Sequence, residues 1–406
     1  MSAPASALTD DALASLDRII RPATGDLRHP FVESSASYAN QLWDWDSYFT
    51  LLALTRLGVP DVPVRACVEN FLDAQGEDGH VPYRLLTDST AVRHPPHLSP
   101  RSGPGTRGPD ALYNPAKPIL AQMALLDEAL GTGEWLAATA PKLDRYLEHW
   151  SATQFTDWGL YAWRTHKGDG PDNHPALYGR PPNSVLGADL NSYFVREFRA
   201  MEQIWRMLDQ PDRATSYAAR ADALAERINA VLWDPVDEFY YHHDALGQTP
   251  PTATLPVTWT VPLKFRTWTS LMPLWAGVAT ADLAERAVEA AAEDGGLICD
   301  YGIRTVTSRD PIYNTRVSGN PSNWQGPVWI VANYVVFEGL LSYGYRRLAR
   351  RVADGSAALL HEDLRRNGHW HEYYDAETGR AESNPGFIGW NLTALIMHAM
   401  LDERAD

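Results

Sequence analysis

Two short stretches carry the residue types that general acid–base chemistry needs. One is His371-Glu372-Tyr373-Tyr374-Asp375, inside a loop from Asn367 to Phe387 between two apolar helical runs. The other is Gly168-Asp169-Gly170-Pro171-Asp172-Asn173-His174-Pro175, about 200 residues earlier. Two carboxyl groups brought from distant loops to one pocket can divide the labour of cleaving an acetal. A protonated one gives a proton to the leaving oxygen, and an ionised one activates water. Glycine and proline around Asp172 fix the backbone of a side chain that must point inward. The competing reading of Asp172 is an Asx-turn residue without chemistry.

Around these carboxyls the sequence repeats a second theme, carboxylate or amide beside indole. In Gln41-Leu42-Trp43-Asp44-Trp45-Asp46-Ser47-Tyr48-Phe49 a helix N-cap role accounts for one carboxylate but not for two among two tryptophans. A carboxylate beside an indole accepts two sugar hydroxyls while the ring covers the apolar sugar face. Tyr38 stands just before this cluster, and Tyr83 belongs to a later stretch, Gly79-His80-Val81-Pro82-Tyr83-Arg84. Lys117 falls early in an expected helix, where its charge opposes the dipole. It serves a ligand or a nearby carboxylate, or is simply solvated. Trp163, Arg180, Gln325 and Trp329 complete the candidate binding set. Pro327 suits a first helical turn, which would turn Gln325 and Trp329 to the mouth of the site.

His369, His371 and Glu372 admit a metal reading, but their spacing is no recognised zinc pattern and no third histidine group is evident. Histidines held by hydrogen bonds are the expectation, with no metal. Nothing resembles a phosphate loop, a dinucleotide fingerprint or a nucleophile elbow, so no cofactor is expected.

The elements that must position these residues are helices. Apolar periodicity predicts helices over Asp10–Arg21, Asp44–Leu57, Val62–Ala74, Ala116–Leu130, Glu134–Ser151, Asp189–Leu208, Asp212–Leu232, Leu271–Val278, Ala281–Glu293, Trp324–Ser342, Gly344–Arg366 and Ile388–Arg404. Links within pairs are short and links between pairs long. Short links make antiparallel neighbours, and long structureless ones are usually functional. Pairs recur roughly every 65 to 75 residues, too long for an ordinary solenoid repeat. Six hairpins therefore suggest an all-α (α/α)6 toroid with its long loops on one rim. The alternative is an open α-solenoid. No linker divides the chain, so residues 1–406 read as a single domain. Ser89–Asp110 is a candidate loop to close over the mouth.

Composition bounds the function. The net charge of −16 argues against nucleic acid or an anionic membrane as partner. Two cysteines, Cys67 and Cys299, make no disulfide framework. The N-terminus has no basic start or apolar run, so a cytoplasmic protein is expected. No run of about 20 apolar residues exists to span a membrane. Tryptophan is abundant, at 15 residues, which suits sugar faces as well as core. The expected partner is a small glycoside; the oligomeric state is left open.

The motifs resemble known families. Trp45-Asp46-Ser47-Tyr48-Phe49-Thr50 resembles a stretch of the trehalases, glycoside hydrolase family 37. Trp324-Gln325-Gly326-Pro327-Val328-Trp329 resembles a run of glycoside hydrolase family 63. Glu372-Tyr373-Tyr374-Asp375 with Gly379 and Gly386-Phe387-Ile388-Gly389-Trp390 is similar to the general-base loop of both. Pro171-Asp172-Asn173-His174-Pro175 is similar to the general-acid loop of family 63, and the likeness spans about residues 29–400. It implies an (α/α)6 toroid and cofactor-free, inverting hydrolysis of α-glycosides, closest in size to compact bacterial hydrolases of mannosylglycerate or glucosylglycerate. It implies Asp172 as general acid and Glu372 as general base, with His369 or His371 orienting the latter. Trp43, Asp44, Trp45 and Asp46, with Gln325 and Trp329, would hold the sugar. Arg84, Lys117, Arg180 and Arg304 would be candidates for a carboxylate on the leaving group. Two positions depart from the pattern: His174 where serine is common, and Lys117 where glutamine is expected. A sugar epimerase or isomerase on the same toroid, using His242, His243, His369 or His371, and a non-catalytic sugar-binding protein are the rival readings.

Overall fold

The computed structural model describes residues 16–89, 114–127, 133–246, 261–316 and 322–403. The α-helices among them are α1 (Asp44–Arg56), α2 (Val64–Asp73), α3 (Leu120–Ala124), α4 (Glu134–Gln154), α5 (Ala188–Met207), α6 (Pro211–Val231), α7 (Met272–Trp275), α8 (Ala281–Ala292), α9 (Ile330–Ser342), α10 (Arg346–Asn367) and α11 (Thr393–Glu403).

Two helix types alternate. The outer α6 is polar except for one stripe, Ala214, Tyr217, Ala221, Leu224 and Ile228, at the three-to-four spacing of a helix with one buried face. The inner α9 is buried all round from Ile330 to Phe337, as a helix enclosed by others must be. The inner helices form a closed ring: α1 packs on α3, α3 on α5, α5 on α7, α7 on α9, α9 on α11, and α11 back on α1. That last contact excludes the open solenoid. At Gly339 a Cβ would lie 3.0 Å from the Trp275 backbone nitrogen, so glycine is what lets α9 approach α7 this closely.

Several expected boundaries move. The proposed first helix is outside the described residues up to position 15; beyond it, Ile20–Arg21 is a strand paired with Phe31–Val32. The helix expected over Ala116–Leu130 shrinks to α3, because Pro115 bridges Pro82 and Pro118 disfavours helical geometry at Lys117. Residues 324–329 are not helical. Gly326 sits at φ +158° and Val328 bridges both Arg304 and Tyr374, so α9 starts at Ile330. Leu271 and Ile388–Leu392 belong to short 3-10 turns and their leads rather than to α7 and α11. The loop over Ser89–Asp110 lies almost wholly outside the described residues.

Among the described residues, the loops entering the inner helices hold the strands. A four-stranded antiparallel sheet runs in the order Val261–Leu263, His242–Asp244, Val185–Leu186, Ala162–Trp163. It backs the loop carrying Asp172. Among the described residues no helix is long and apolar enough to cross a membrane.

Candidate active site

A cavity of about 120 Å³ opens at the N-terminal ends of the inner helices. Its wall combines Tyr38, Trp43, Trp45, Asp46, Tyr83, Lys117, Asp172, Trp329 and Glu372, all singled out from the sequence, with Lys167, Gly170, Ser322, Trp324 and Trp390.

Glu372 lies deep, 2% exposed. Its loop is a hairpin: Glu372 N–H donates to Ser383 O at 3.0 Å, and Glu382 N–H to Tyr373 O at 3.1 Å. Tyr374 and Val328 exchange backbone hydrogen bonds at 2.9 and 2.8 Å, tying the hairpin to the strand that leads into α9. Both carboxylate oxygens are engaged. Tyr38 Oη donates to Oε1 at 2.9 Å, and Asn384 Nδ2 donates to Oε2. Burial pushes the carboxyl up to about 8; these two donors oppose that, and the neighbouring Asp46 and Asp172 add to it.

Asp172 stands at the mouth. Its side chain is exposed to the opening, yet walled closely enough that loss of solvation raises its carboxyl, against Ser322, His166, Lys167 and Lys117. The adjoining Asn173 fixes the loop. Its Oδ1 accepts from Trp324 N–H at 2.7 Å, its Nδ2 donates to Asn323 at 3.1 Å, and its carbonyl accepts from Gln325 Nε2 at 3.0 Å. Gly170 has φ +99°, and a Cβ there would meet Trp45 Cζ2 at 2.7 Å. Glycine therefore lets the acid loop rest on the indole.

The floor is aromatic. Trp324 stacks on Trp329 at 3.7 Å and 13°, and Trp329 on Tyr373 at 4.6 Å and 22°. Trp45 leans on Trp324 and Trp390. Asp46 accepts from Ser34 Oγ at 2.7 Å, and burial lifts its carboxyl to about 7.

Five expected contacts are instead supports. Asp44, fully buried, holds the Lys117 ammonium at 3.3 Å and does not reach the cavity. Trp163 donates to Asp189 at 2.9 Å behind the wall. Arg180 pairs with Asp244 at 2.7 Å. Gln325 clamps Asn173. His371 is held by Asp363 at 3.0 Å, which anchors the base hairpin to α10, so neither it nor its ring neighbour His369 orients Glu372. Arg84 covers Trp43 at 5.0 Å and Arg304 pairs with Glu377 at 3.0 Å, leaving Lys117 and Lys167 as the cations that line the cavity among the described residues. His174 is buried too. Its Nδ1 accepts from Ala176 N–H, and its Nε2 and that of His242 both meet Thr269 Oγ1 at 2.9 Å. Burial lowers the pKa of both imidazoles, which keeps them neutral and structural.

Sequence reasoning missed Lys167, Ser322 and Asn384. Trp324 and Trp390 stood inside motifs already singled out. Asn384 had no signal, since its role depends on a left-handed backbone at φ 48°.

The model of the mannosylglycerate hydrolase MGH1-like glycoside hydrolase domain matches residues 38–389. Mannosylglycerate hydrolase MGH1 of Selaginella moellendorffii is 27% identical over 86% of this chain and 78% of that protein. A probable mannosyl-oligosaccharide glucosidase of Schizosaccharomyces pombe is 23% identical over 71% of this chain, which spans only 36% of that relative. The crystal structure of the GH63 mannosylglycerate hydrolase from Thermus thermophilus with Tris and D-glycerate superposes with TM-score 0.70 at 22% identity, covering 97% of this chain and 100% of that one. Neutral trehalase Nth1 of Saccharomyces cerevisiae superposes with TM-score 0.63 at 18% identity, over 92% and 73%. The expected (α/α)6 toroid is thus the fold.

Proposed function

We propose that this chain, which belongs to the mannosylglycerate hydrolase MGH1-like glycoside hydrolase family, is an inverting α-glycosidase. Its substrate is a small α-mannoside or α-glucoside of the mannosylglycerate or glucosylglycerate kind, with an α-glucosyl disaccharide as the next choice. The observation that carries the reading is one aromatic-walled cavity with a carboxyl at its mouth, Asp172, and a second in its depth, Glu372.

In this mechanism the sugar enters first and the leaving group faces the mouth. Asp172, protonated, gives its proton to the glycosidic oxygen as the C1–O bond breaks. Glu372, ionised, takes a proton from the water that bonds to C1 on the opposite face, so the product anomer is β. Tyr38 and Asn384 hold the Glu372 carboxylate by charge-assisted hydrogen bonds. After turnover the base holds a proton and the acid lacks one, and exchange through the cavity restores the pair.

The epimerase reading is disfavoured because no histidine lines the cavity among the described residues, whereas that chemistry needs two facing one carbon. We further propose that residues 1–406 act as one catalytic domain, and that two unpaired buried cysteines suit a cytoplasmic enzyme. The test is NMR observation of product anomers from glucosylglycerate, mannosylglycerate, glucosylglycerol, trehalose, kojibiose and nigerose. Wild type should release β-anomer from one of them, and D172N and E372Q should each lose ~10²–10⁴ in kcat. Retained α-configuration, or full activity in both variants, refutes the mechanism.

A further inference from the structure

Lys117 stands where the family resemblance implies glutamine, and its surroundings fix what it can bind. The side chain is 1% exposed. An ammonium has three protons and no acceptor. One goes to Asp44 Oδ1 at 3.3 Å. The Asp44 carboxylate takes two further donors, Trp45 N–H on Oδ1 and the Lys117 N–H on Oδ2, each at 2.7 Å. The nitrogen sits 4.9 Å over the Trp45 ring, which occupies a second proton through the π face. No acceptor among the described residues takes the third. Lys117 lines the cavity, so a ligand atom is what that proton meets.

The rest of the wall decides the chemistry of that atom. The polar groups sharing the cavity with Lys117 include the carboxyls of Asp46, Asp172 and Glu372. An anionic ligand group at this depth would face them at close range and in poor solvent, where like charges repel strongly. A hydroxyl suits both sides, since its oxygen accepts from Lys117 while its proton goes to Asp46. We infer that Lys117, aimed by Asp44, reads one non-anomeric hydroxyl of the bound sugar together with Asp46, and is therefore a specificity-determining residue and not a seat for a leaving-group carboxylate. The inference rests on the glycosidase reading only in taking the ligand to be a sugar.

The site is built to punish loss of that hydroxyl. A deoxy analogue leaves a buried cation without its acceptor, and hydrogen bonds to charged groups are worth roughly 10- to 150-fold in affinity. The test is equilibrium binding by ligand-observed NMR, with D-mannose and D-glucose and their monodeoxy derivatives as probes. On wild type, one deoxy position should weaken binding by about 10- to 150-fold and the others by less than about fivefold. K117M alone strands the Asp44 carboxylate, so D44N/K117M is the main variant and K117Q the second. In D44N/K117M the penalty at that position should shrink by at least about threefold, the bond to Asp46 keeping the remainder. K117Q, which keeps one neutral donor, should fall between. Uniform losses across the series, a penalty that survives undiminished in D44N/K117M, or no monosaccharide binding by wild type overturns the inference. Lys117-dependent discrimination in a preparation that hydrolyses no glycoside would instead leave it standing and remove only the hydrolase reading.

Discussion

Replacing Glu372 by glutamine should cut kcat by ~10²–10⁴ and stabilise the protein at alkaline pH, with a gain that depends on pH in a way the site dictates. The carboxyl is 2% exposed and its pKa is lifted from the ordinary 4.5 to about 8. Below pH 4.5 the folded and unfolded chains both hold this proton, and the group costs nothing. Between 4.5 and 8 the unfolded chain ionises while the folded one keeps its proton, so stability falls as pH rises. At 1.36 kcal/mol per pH unit the full loss is ~5 kcal/mol above pH 8. Glutamine pays none of it. Its Oε1 can accept from Asn384 Nδ2 while its Nε2 donates to Tyr38 Oη, so both neighbours stay bonded. Imperfect amide geometry returns ~1–2 kcal/mol. Urea unfolding of the two proteins should therefore put E372Q behind by ~1–2 kcal/mol near pH 4 and ahead by ~3–4 kcal/mol at pH 8.5. A gap that does not change with pH, or an E372Q protein less stable at pH 8.5, refutes the account of Glu372 as a desolvated carboxyl.

Three further outcomes follow from the same geometry. Y38F removes a donor that favours the Glu372 anion, so the base should ionise later. At least one limb of the kcat/KM–pH profile should move up by ~1 pH unit, and neither should move down. G170A places a Cβ against Trp45 at φ +99°. It should cost ~1–3 kcal/mol in urea unfolding and lower kcat more than it raises KM, because the Asp172 loop lifts off the indole. H174S, by contrast, changes a residue behind the wall. It should lower the unfolding free energy by ~1–3 kcal/mol through the lost Thr269 hydrogen bond and the space left, while kcat/KM stays within about threefold.

The ring of helices was legible because an outer helix such as α6 carries one apolar stripe and an inner one such as α9 is a nearly unbroken apolar run, and both patterns survive in one dimension. The boundaries that moved are those where local backbone chemistry overrides periodicity. Pro118 cuts the helix expected from Ala116, and Gly326 with the Val328 bridges holds back α9. Of the expected site residues, those that line the cavity include ones whose neighbours in sequence are also their neighbours in space, such as Trp45 beside Asp46. Asp44 and Gln325 share those motifs but face away, because adjacent residues on a turn point to different sides, and a motif does not say which side is the cavity. Asn384 and Lys167 reach the site through loop conformation, which spacing does not encode.

The proton inventory of the cavity explains why the two carboxyls take different roles although both are raised. Asp46, Asp172 and Glu372 share a small volume with Lys117 and Lys167, so ionising one raises its neighbours. The limbs of the pH profile then belong to the set and do not assign the roles; position and donors do. Glu372 is deep, out of reach of a leaving group that must depart through the mouth, and both its oxygens receive hydrogen bonds, which suits a base. Asp172 is at the mouth, where the glycosidic oxygen lies and the freed alcohol leaves. If this is right, D172N should lose far less activity on a substrate whose leaving group departs without a proton, such as an activated aryl α-glycoside, than on the natural alkyl glycoside. E372Q should lose equally on both. A rate ratio of wild type to D172N that is the same for the two substrates would mean that Asp172 is not the proton donor.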